Sequence, residues 1–209
     1  MTEAITFDPR TLAFYQREAR AYLSRHRQGG GEYLADFLSR LPPGAHVLEL
    51  GCGGGHDAEV MISAGMDVDL TDGTPALAME ASRRLGRPVR VMRFDQLDAL
   101  NSYDGVWASA CLLHVPAAAL GGVLSRIWRA LKPGGFHFAS YKATGHEGRD
   151  RLGRWYNQLT ADELVDTYRD AGSWEIASVD KRIAGGYDGV EVPWVAITAR
   201  KVVGGPTPE

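Results

Sequence analysis

Four glycines stand within five positions of the stretch VLELGCGGGH, residues 47–56: Gly51, Gly53, Gly54 and Gly55. Each costs backbone entropy on folding, so a run this dense suits a place where something must come close to the main chain. The run follows the apolar stretch Val47 to Leu50, which is broken by one carboxylate, Glu49. A glycine turn between a strand and a helix lets a ligand approach the backbone, and the open helix start offers unpaired N–H groups. The dinucleotide fingerprint GxGxxG asks for Gly or Ala where this chain has His56. A carboxylate at Glu49 repels a pyrophosphate and attracts a cationic group. Glu49 is otherwise a buried acid satisfied by backbone N–H groups, which is compatible with a ligand role.

Two further acids and one imidazole follow. Asp72 lies about 20 residues beyond the glycines, at the end of the second apolar run. Asp95 stands in MRFDQL, and His114 in SACLLHV. Taken singly, Asp72 is also a turn residue before Gly73, Asp95 a cap, and His114 a hydrogen-bonded structural histidine. Lys142, His146, Arg149, Arg151, Arg154, Trp155 and Tyr156 crowd one polar connection, YKATGHEGRDRLGRWYNQLT. That connection is either a solvated loop or a cover over a pocket, and as a cover it favours an anionic or oxyanion-bearing substrate.

The elements that must position these residues alternate. Apolar strand patterns at 46–50, 67–71, 89–94, 103–109 and 136–141 are separated by helical patterns at 57–64, 74–85 and 117–131. Alternation of this kind predicts βαβ units and a parallel sheet with helices on both faces. Asp8-Pro9 opens an N-terminal helix, with Tyr15 and Tyr22 seven apart on one face. Gly29-Gly30-Gly31 ends it, and a short helix runs from Glu32 to Leu41. Lys132-Pro133-Gly134-Gly135 is a helix stop and turn. Thr160 and Glu163 fit a capping box for a helix ending at Gly172. The last two strands, about 175–183 and 192–200, are too close for a helical crossover and should pair antiparallel.

The bulk numbers bound the function class. The chain has 209 residues, 44% of them hydrophobic, which suits one domain with one core. With 23 basic against 26 acidic side chains the net charge is -3, which does not favour a polyanion surface. Cys52 and Cys111 form no CxxC and have no histidine pair beside them, so no metal site is expected. We expect a reducing, cytoplasmic setting: the first residues carry early acids rather than a leader, and no run approaches the roughly 18 apolar residues of a membrane span.

The stretch Glu49-Leu-Gly-Cys-Gly-Gly-Gly55 resembles motif I, E/D-x-G-x-G-x-G, of the class I S-adenosylmethionine (SAM)-dependent methyltransferases. VDLTDGTPALAMEA, MRFDQL, YDGVWASACLLHV and ALKPGGFHFASY resemble that family's following segments, in order, over residues 46–141. The resemblance implies a Rossmann-like three-layer αβα sandwich, α/β class, with a seven-stranded, mostly parallel sheet whose last strand is antiparallel. It implies residues 1–203 as a single domain: an N-terminal helical cap (1–42), a SAM-binding core (46–141), a substrate-side loop (142–159), and a C-terminal helix and strand pair (160–200). A flexible tail, 204–209, follows.

The resemblance also implies S-adenosylmethionine as cofactor and S-adenosylhomocysteine as product. Glu49, Gly51, Cys52, Gly53, Gly55, Asp72, Gly73, Asp95, Gln96, Leu97 and Ser109 would hold the cofactor. Asp95 would face the adenine amino group and Leu97 would stack on the ring. Tyr15 and Tyr22 would cover the sulfonium, core packing being the alternative. Tyr141, Lys142, Arg149 and Arg154 would meet the substrate, and His114 is the candidate base. The second half of the chain also loosely resembles small bacterial methyltransferases described as tellurite-resistance-like. Methyl transfer from a sulfonium needs alignment rather than a metal or an acid–base pair. A small-molecule acceptor is favoured over nucleic acid or protein, since SACLLHV lacks the N/D-P-P-Y/F/W signature used on flipped bases. Two alternatives remain, an NAD(P)-dependent oxidoreductase and a non-catalytic SAM-binding domain.

Overall fold

The central strands β1 (His46–Leu50) and β4 (Tyr103–Ala108) are buried almost throughout, which is why they read as nearly continuous apolar runs. The computed structural model describes residues 6–24 and 29–202. In chain order the elements are α1 (Pro9–Ser24), α2 (Glu32–Ser39), β1 (His46–Leu50), α3 (His56–Ser63), β2 (Asp67–Asp72), α4 (Pro75–Leu85) and β3 (Arg90–Val91). They continue with β4 (Tyr103–Ala108), α5 (Ala117–Ala130), β5 (Leu131–Lys142), β6 (Gly148–Arg149), β7 (Trp155–Tyr156), α6 (Ala161–Ala171), β8 (Trp174–Gly185) and β9 (Glu191–Lys201).

Seven strands form one sheet in the order β3-β2-β1-β4-β5-β9-β8. Strand β9 slots between β5 and β8, antiparallel to both, and the other six run parallel. This is the expected αβα sandwich. Alternation along the strands splits the core in two. Val47, Trp107 and Phe138 pack with Leu34, Phe37 and Met61 of α2 and α3. Leu48, Val106 and Ala139 pack with Leu120, Leu124 and Ile127 of α5 and with Tyr168 of α6.

Three elements differ from the sequence reading. The third strand, expected over 89–94, is only Arg90–Val91 and pairs with β2 alone. Gln96 Oε1 accepts the Arg93 amide at 2.9 Å, so local bonds close a 3-10 turn (Phe94–Gln96) in place of a longer ladder. The fifth strand starts at Leu131, and residues 132–135 bulge between the pairs Tyr103↔Leu131 and Gly105↔Phe136. The 142–157 connection carries a small antiparallel hairpin, β6–β7.

The capping box is present: Thr160 Oγ1 accepts the Glu163 amide at 3.3 Å, and Glu163 Oε2 accepts the Thr160 amide at 2.8 Å. The tail read as flexible, 204–209, lies outside the described residues. Among those described, no helix is long and apolar enough to cross a membrane, and no three His, Cys, Asp or Glu side chains group as metal ligands.

Candidate active site

A cavity of about 300 Å³ opens at the carboxyl ends of β1, β2, β4 and β5, where ligands bind in open α/β sheets. The glycine turn forms one wall. Gly51 has φ +65°, and a Cβ there would sit 2.7 Å from the Cβ of Cys111. Gly53 has φ +55° and lies under the ring of Tyr22. The turn is tied to the next strand by Asp72, whose Oδ2 accepts the Gly53 amide at 3.0 Å and Oδ1 the Thr74 amide at 2.8 Å. Burial raises the Asp72 carboxyl above its usual range, and those two donors offset part of the rise. Each of its oxygens keeps a lone pair for a further donor.

Glu49 lines the same wall and is 4% exposed. Its Oε2 has no hydrogen-bond partner, and burial, with Asp57 and Asp72 nearby, raises its pKa well above the carboxylate range. A buried acid in that state is short of a donor or a cation. Cys52, Gly73 and Ser109 also line the cavity.

Asp95, Gln96 and Leu97 do not line it. Arg93 Nε and the Thr6 hydroxyl bond to the Asp95 carboxylate at 3.0 and 2.6 Å; despite partial burial they hold its pKa below the usual value. Gln96 is exposed, and the Leu97 side chain is buried in the core on the α5 side of the sheet rather than available to an adenine. The 3-10 turn rotates these three away and presents Arg93 and Phe94 to the cavity instead. Phe94, the aromatic directly before the acid of MRFDQL, is the residue of that stretch whose ring lines the cavity.

Helix α1 and the β6–β7 hairpin lie over the cavity and are laced together. Arg149 bonds to Asp8 at 2.7 Å, and the Trp155 amide donates to Thr11 Oγ1 at 2.8 Å. Asp8 also caps α1 through the Thr11 amide, and although burial opposes ionisation these partners lower its pKa to about 2. Arg154, 1% exposed, bonds to Asp150 through Nε (3.0 Å) and Nη2 (2.6 Å), and donates from Nη1 to the Tyr15 hydroxyl at 3.0 Å. The rings of Phe14, Tyr15, Tyr156 and Tyr187 surround its guanidinium at 5.1–5.8 Å. Tyr22 lines the cavity beside Tyr15, their rings edge to face at 5.4 Å.

His114 also lines the cavity, and its protons can be assigned. Nδ1 lies 2.6 Å from the Trp155 carbonyl, which only accepts, so Nδ1 carries the hydrogen. Nε2 is then the acceptor, and the Tyr15 hydroxyl donates to it at 2.9 Å. Burial lowers the His114 pKa to about 4, so the imidazole is neutral near pH 7.

The other expected substrate residues lie elsewhere. The Tyr141 hydroxyl meets that of Tyr168 at 3.2 Å inside the core. Lys142 pairs with Asp188 at 3.3 Å, each 6% exposed. Arg149 and Arg154 serve the cover as described rather than lining the cavity. The cavity is also lined by residues that no local sequence pattern points to: Tyr33 of α2, Trp107 of β4, Phe138 and Ser140 of β5, and Arg182 of β8. Trp107 donates to Asp57 at 3.0 Å, and Asp57 also accepts the Gly30 amide at 2.9 Å.

Residues 47–135 match the methyltransferase-domain family. The chain is 33% identical over 114 residues to an S-adenosyl-L-methionine-dependent Diels-Alderase of Talaromyces variabilis, covering 50% of this chain and 38% of that protein. It is 34% identical over 110 residues to a trans-aconitate 2-methyltransferase of Methylobacterium nodulans, covering 48% and 40%. The chain thus spans well under half the length of these curated relatives. The crystal structure of 1,6-didemethyltoxoflavin-N1-methyltransferase from Burkholderia thailandensis, with bound 1,6-didemethyltoxoflavin and S-adenosylhomocysteine, superposes with a TM-score of 0.64 at 25% identity, covering 92% of this chain and 82% of that one.

Proposed function

We propose that this chain, whose residues 47–135 belong to the class I SAM-dependent methyltransferases, transfers the methyl group of that cofactor to a small-molecule acceptor by in-line displacement. The observation that carries the proposal is Glu49: a buried carboxylate in the cavity wall with an unpartnered oxygen, which suits a ligand with a cationic group. The residues present fit the cofactor. Asp72 has acceptor capacity left for ribose hydroxyls, Glu49 suits the cationic portion, and the turn at Gly51 and Gly53 leaves room against the backbone. When bound, S-adenosylmethionine supplies an activated methyl on a sulfonium that leaves as a neutral thioether.

The chain's own contribution is alignment, exclusion of water and custody of one proton. Helix α1 and the β6–β7 hairpin cover the site, so the acceptor can be held dry and in line. Where the acceptor atom bears a hydrogen, Tyr15 takes that proton while passing its own to His114 Nε2. Burial raises the Tyr15 pKa, and Arg154, donating to the Tyr15 oxygen, offsets part of that rise. His114, whose pKa burial lowers to about 4, holds that proton only transiently and gives it up readily.

The small-molecule acceptor is supported by the likeness to 1,6-didemethyltoxoflavin-N1-methyltransferase. The likeness to an S-adenosyl-L-methionine-dependent Diels-Alderase favours a second reading, in which the cofactor is bound and not consumed. Cys52 and Cys111 are buried free thiols, in keeping with a reducing compartment.

Parallel calorimetric titrations with S-adenosylhomocysteine, SAM and NADPH test the cofactor. Binding of the first two alone is expected, and binding of NADPH alone would overturn it. Incubation with methyl-labelled SAM and an acceptor panel then separates transfer from binding without turnover.

A further inference from the structure

We infer that the part of the cavity over β4, β5 and β8 is an acceptor subsite for a flat aromatic carboxylate, with Arg182 holding the carboxylate at the mouth. This rests on the methyl-transfer reading above.

Sheet order separates the two ends of the cavity. Glu49, Gly51 and Asp72 come from β1 and β2, on one side of β4. Trp107 comes from β4 itself, and Phe138, Ser140 and Arg182 come from β5 and β8 on the other side. The register places Glu49, Trp107 and Phe138 in one row across the sheet, so both ends share one face and one floor. With the cofactor residues gathered at the first end, the second is left for the acceptor.

Its walls are flat and aromatic. The rings of Trp107 and Phe138 stack at 4.1 Å and 13°, and Tyr33 lies 5.5 Å from Phe138. Phe37 covers Trp107 at 5.2 Å, so these rings form a packed aromatic wall that favours an apolar, aromatic occupant over a polar one. Two polar groups here already have partners. Ser140 Oγ accepts the Ala110 amide at 2.8 Å, and the Trp107 indole donates to Asp57.

Arg182 stands apart from them. Two arginines line the cavity, and Arg93 is ion-paired with Asp95 at 3.0 Å. Arg182 has no carboxylate within 4 Å among the described residues, and its guanidinium lies over the Tyr33 ring at 4.8 Å. Asp180 is two residues earlier on the same strand face and forms no ion pair with it. The cations of the cover are used internally: Arg149 by Asp8, Arg154 by Asp150, Lys142 by Asp188. A guanidinium held beside a ring, with its donor edges uncommitted, is suited to a bidentate carboxylate.

The test uses protein saturated with S-adenosylhomocysteine and four probes: 2-naphthoate, indole-3-carboxylate and their neutral amides. Calorimetry should show the carboxylates binding about fivefold to tenfold more tightly than the amides. Arg182→Gln, at an exposed position, should erase that preference and leave S-adenosylhomocysteine affinity unchanged. Equal affinity of acid and amide would overturn the inference, as would failure of both carboxylates to bind. A tenfold loss of S-adenosylhomocysteine affinity in Arg182→Gln would also overturn it, by giving Arg182 to the cofactor. If the unmodified protein does not bind S-adenosylhomocysteine at all, the methyl-transfer reading fails first and takes this one with it.

Discussion

The hydroxyl of Tyr15 donates to Nε2 of His114 across 2.9 Å, joining α1 to the turn after β4 from 99 residues away in the chain. It also accepts from Arg154, so one oxygen links the cover to the sheet end. Tyr15→Phe keeps the ring and deletes that oxygen. His114 Nε2 and one Arg154 N–H are then left buried without a partner, a cost of about 1–3 kcal/mol. Urea denaturation should show this loss, while S-adenosylhomocysteine affinity stays within about twofold, since in the proposed mechanism the oxygen serves the acceptor's proton and its protein partners rather than the cofactor. A large drop in cofactor affinity at unchanged stability would instead put Tyr15 on the cofactor.

How far the sequence reveals such a site depends on whether the signal is local. Glu49, Gly51, Gly53 and Asp72 fall on one cavity wall because strand, turn and strand end are all set by short-range patterns. The αβα sandwich is legible for the same reason: period-2 and period-3.6 runs alternate. Tyr15, His114 and Arg154 meet through tertiary contacts that no spacing encodes. Leu97 lies in the core rather than at the cavity because the strand pattern, which runs on through 94 in sequence, gives way to a 3-10 turn closed by local side-chain bonds. Tyr141 and Lys142 continue the strand toward the site, yet core and ion-pair partners take their side chains. Arg182 left no signal, because an isolated arginine on an exposed strand reads as a solvated face.

Asp72 offers a direct test of the cofactor wall. Asp72→Asn keeps the volume, removes the charge and sets an NH2 group against the Gly53 or Thr74 amide, both donors. Calorimetry should show S-adenosylhomocysteine binding weakened about tenfold or more, as expected for a lost charged acceptor. Affinity within about threefold in a folded variant would separate Asp72 from the ligand.

The two glycines nearest the cavity should differ in what they tolerate. Alanine at either takes on a left-handed φ, at about 1–2 kcal/mol. At Gly53 the new Cβ meets the Tyr22 ring at 3.4 Å, an ordinary contact, so little more is expected. At Gly51 it falls 2.7 Å from the Cys111 Cβ, a backbone-anchored atom that cannot swing aside. Overpacking there adds about 1–3 kcal/mol. Denaturation midpoints should therefore rank unmodified protein, Gly53→Ala, then Gly51→Ala. Equal losses would mean that the approach of Cys111 to the turn is not what requires glycine at 51.

Acid should destabilise this fold through two histidines it keeps neutral. Burial lowers both His114 and His137 to about 4, whereas an unfolded histidine titrates near 6.5. The unfolded chain therefore binds more protons than the folded one between those values. The stability due to the neutral rings is fully present above about pH 6.5 and is lost as pH falls toward 4. Glu49, raised well above the carboxylate range, works in the opposite direction, so the net slope alone is not diagnostic. A variant isolates the histidine part. His137 stacks on Tyr168, and its Nδ1 bonds the Val106 carbonyl at 3.0 Å, so His137→Phe keeps a ring in the same place. It removes one titrating group and leaves Glu49 untouched. Between roughly pH 6 and 5, unfolding free energy should fall less steeply in His137→Phe than in the unmodified protein, by about 1 kcal/mol per pH unit. Parallel slopes would mean that His137 takes up its proton in the folded state as readily as in the unfolded chain.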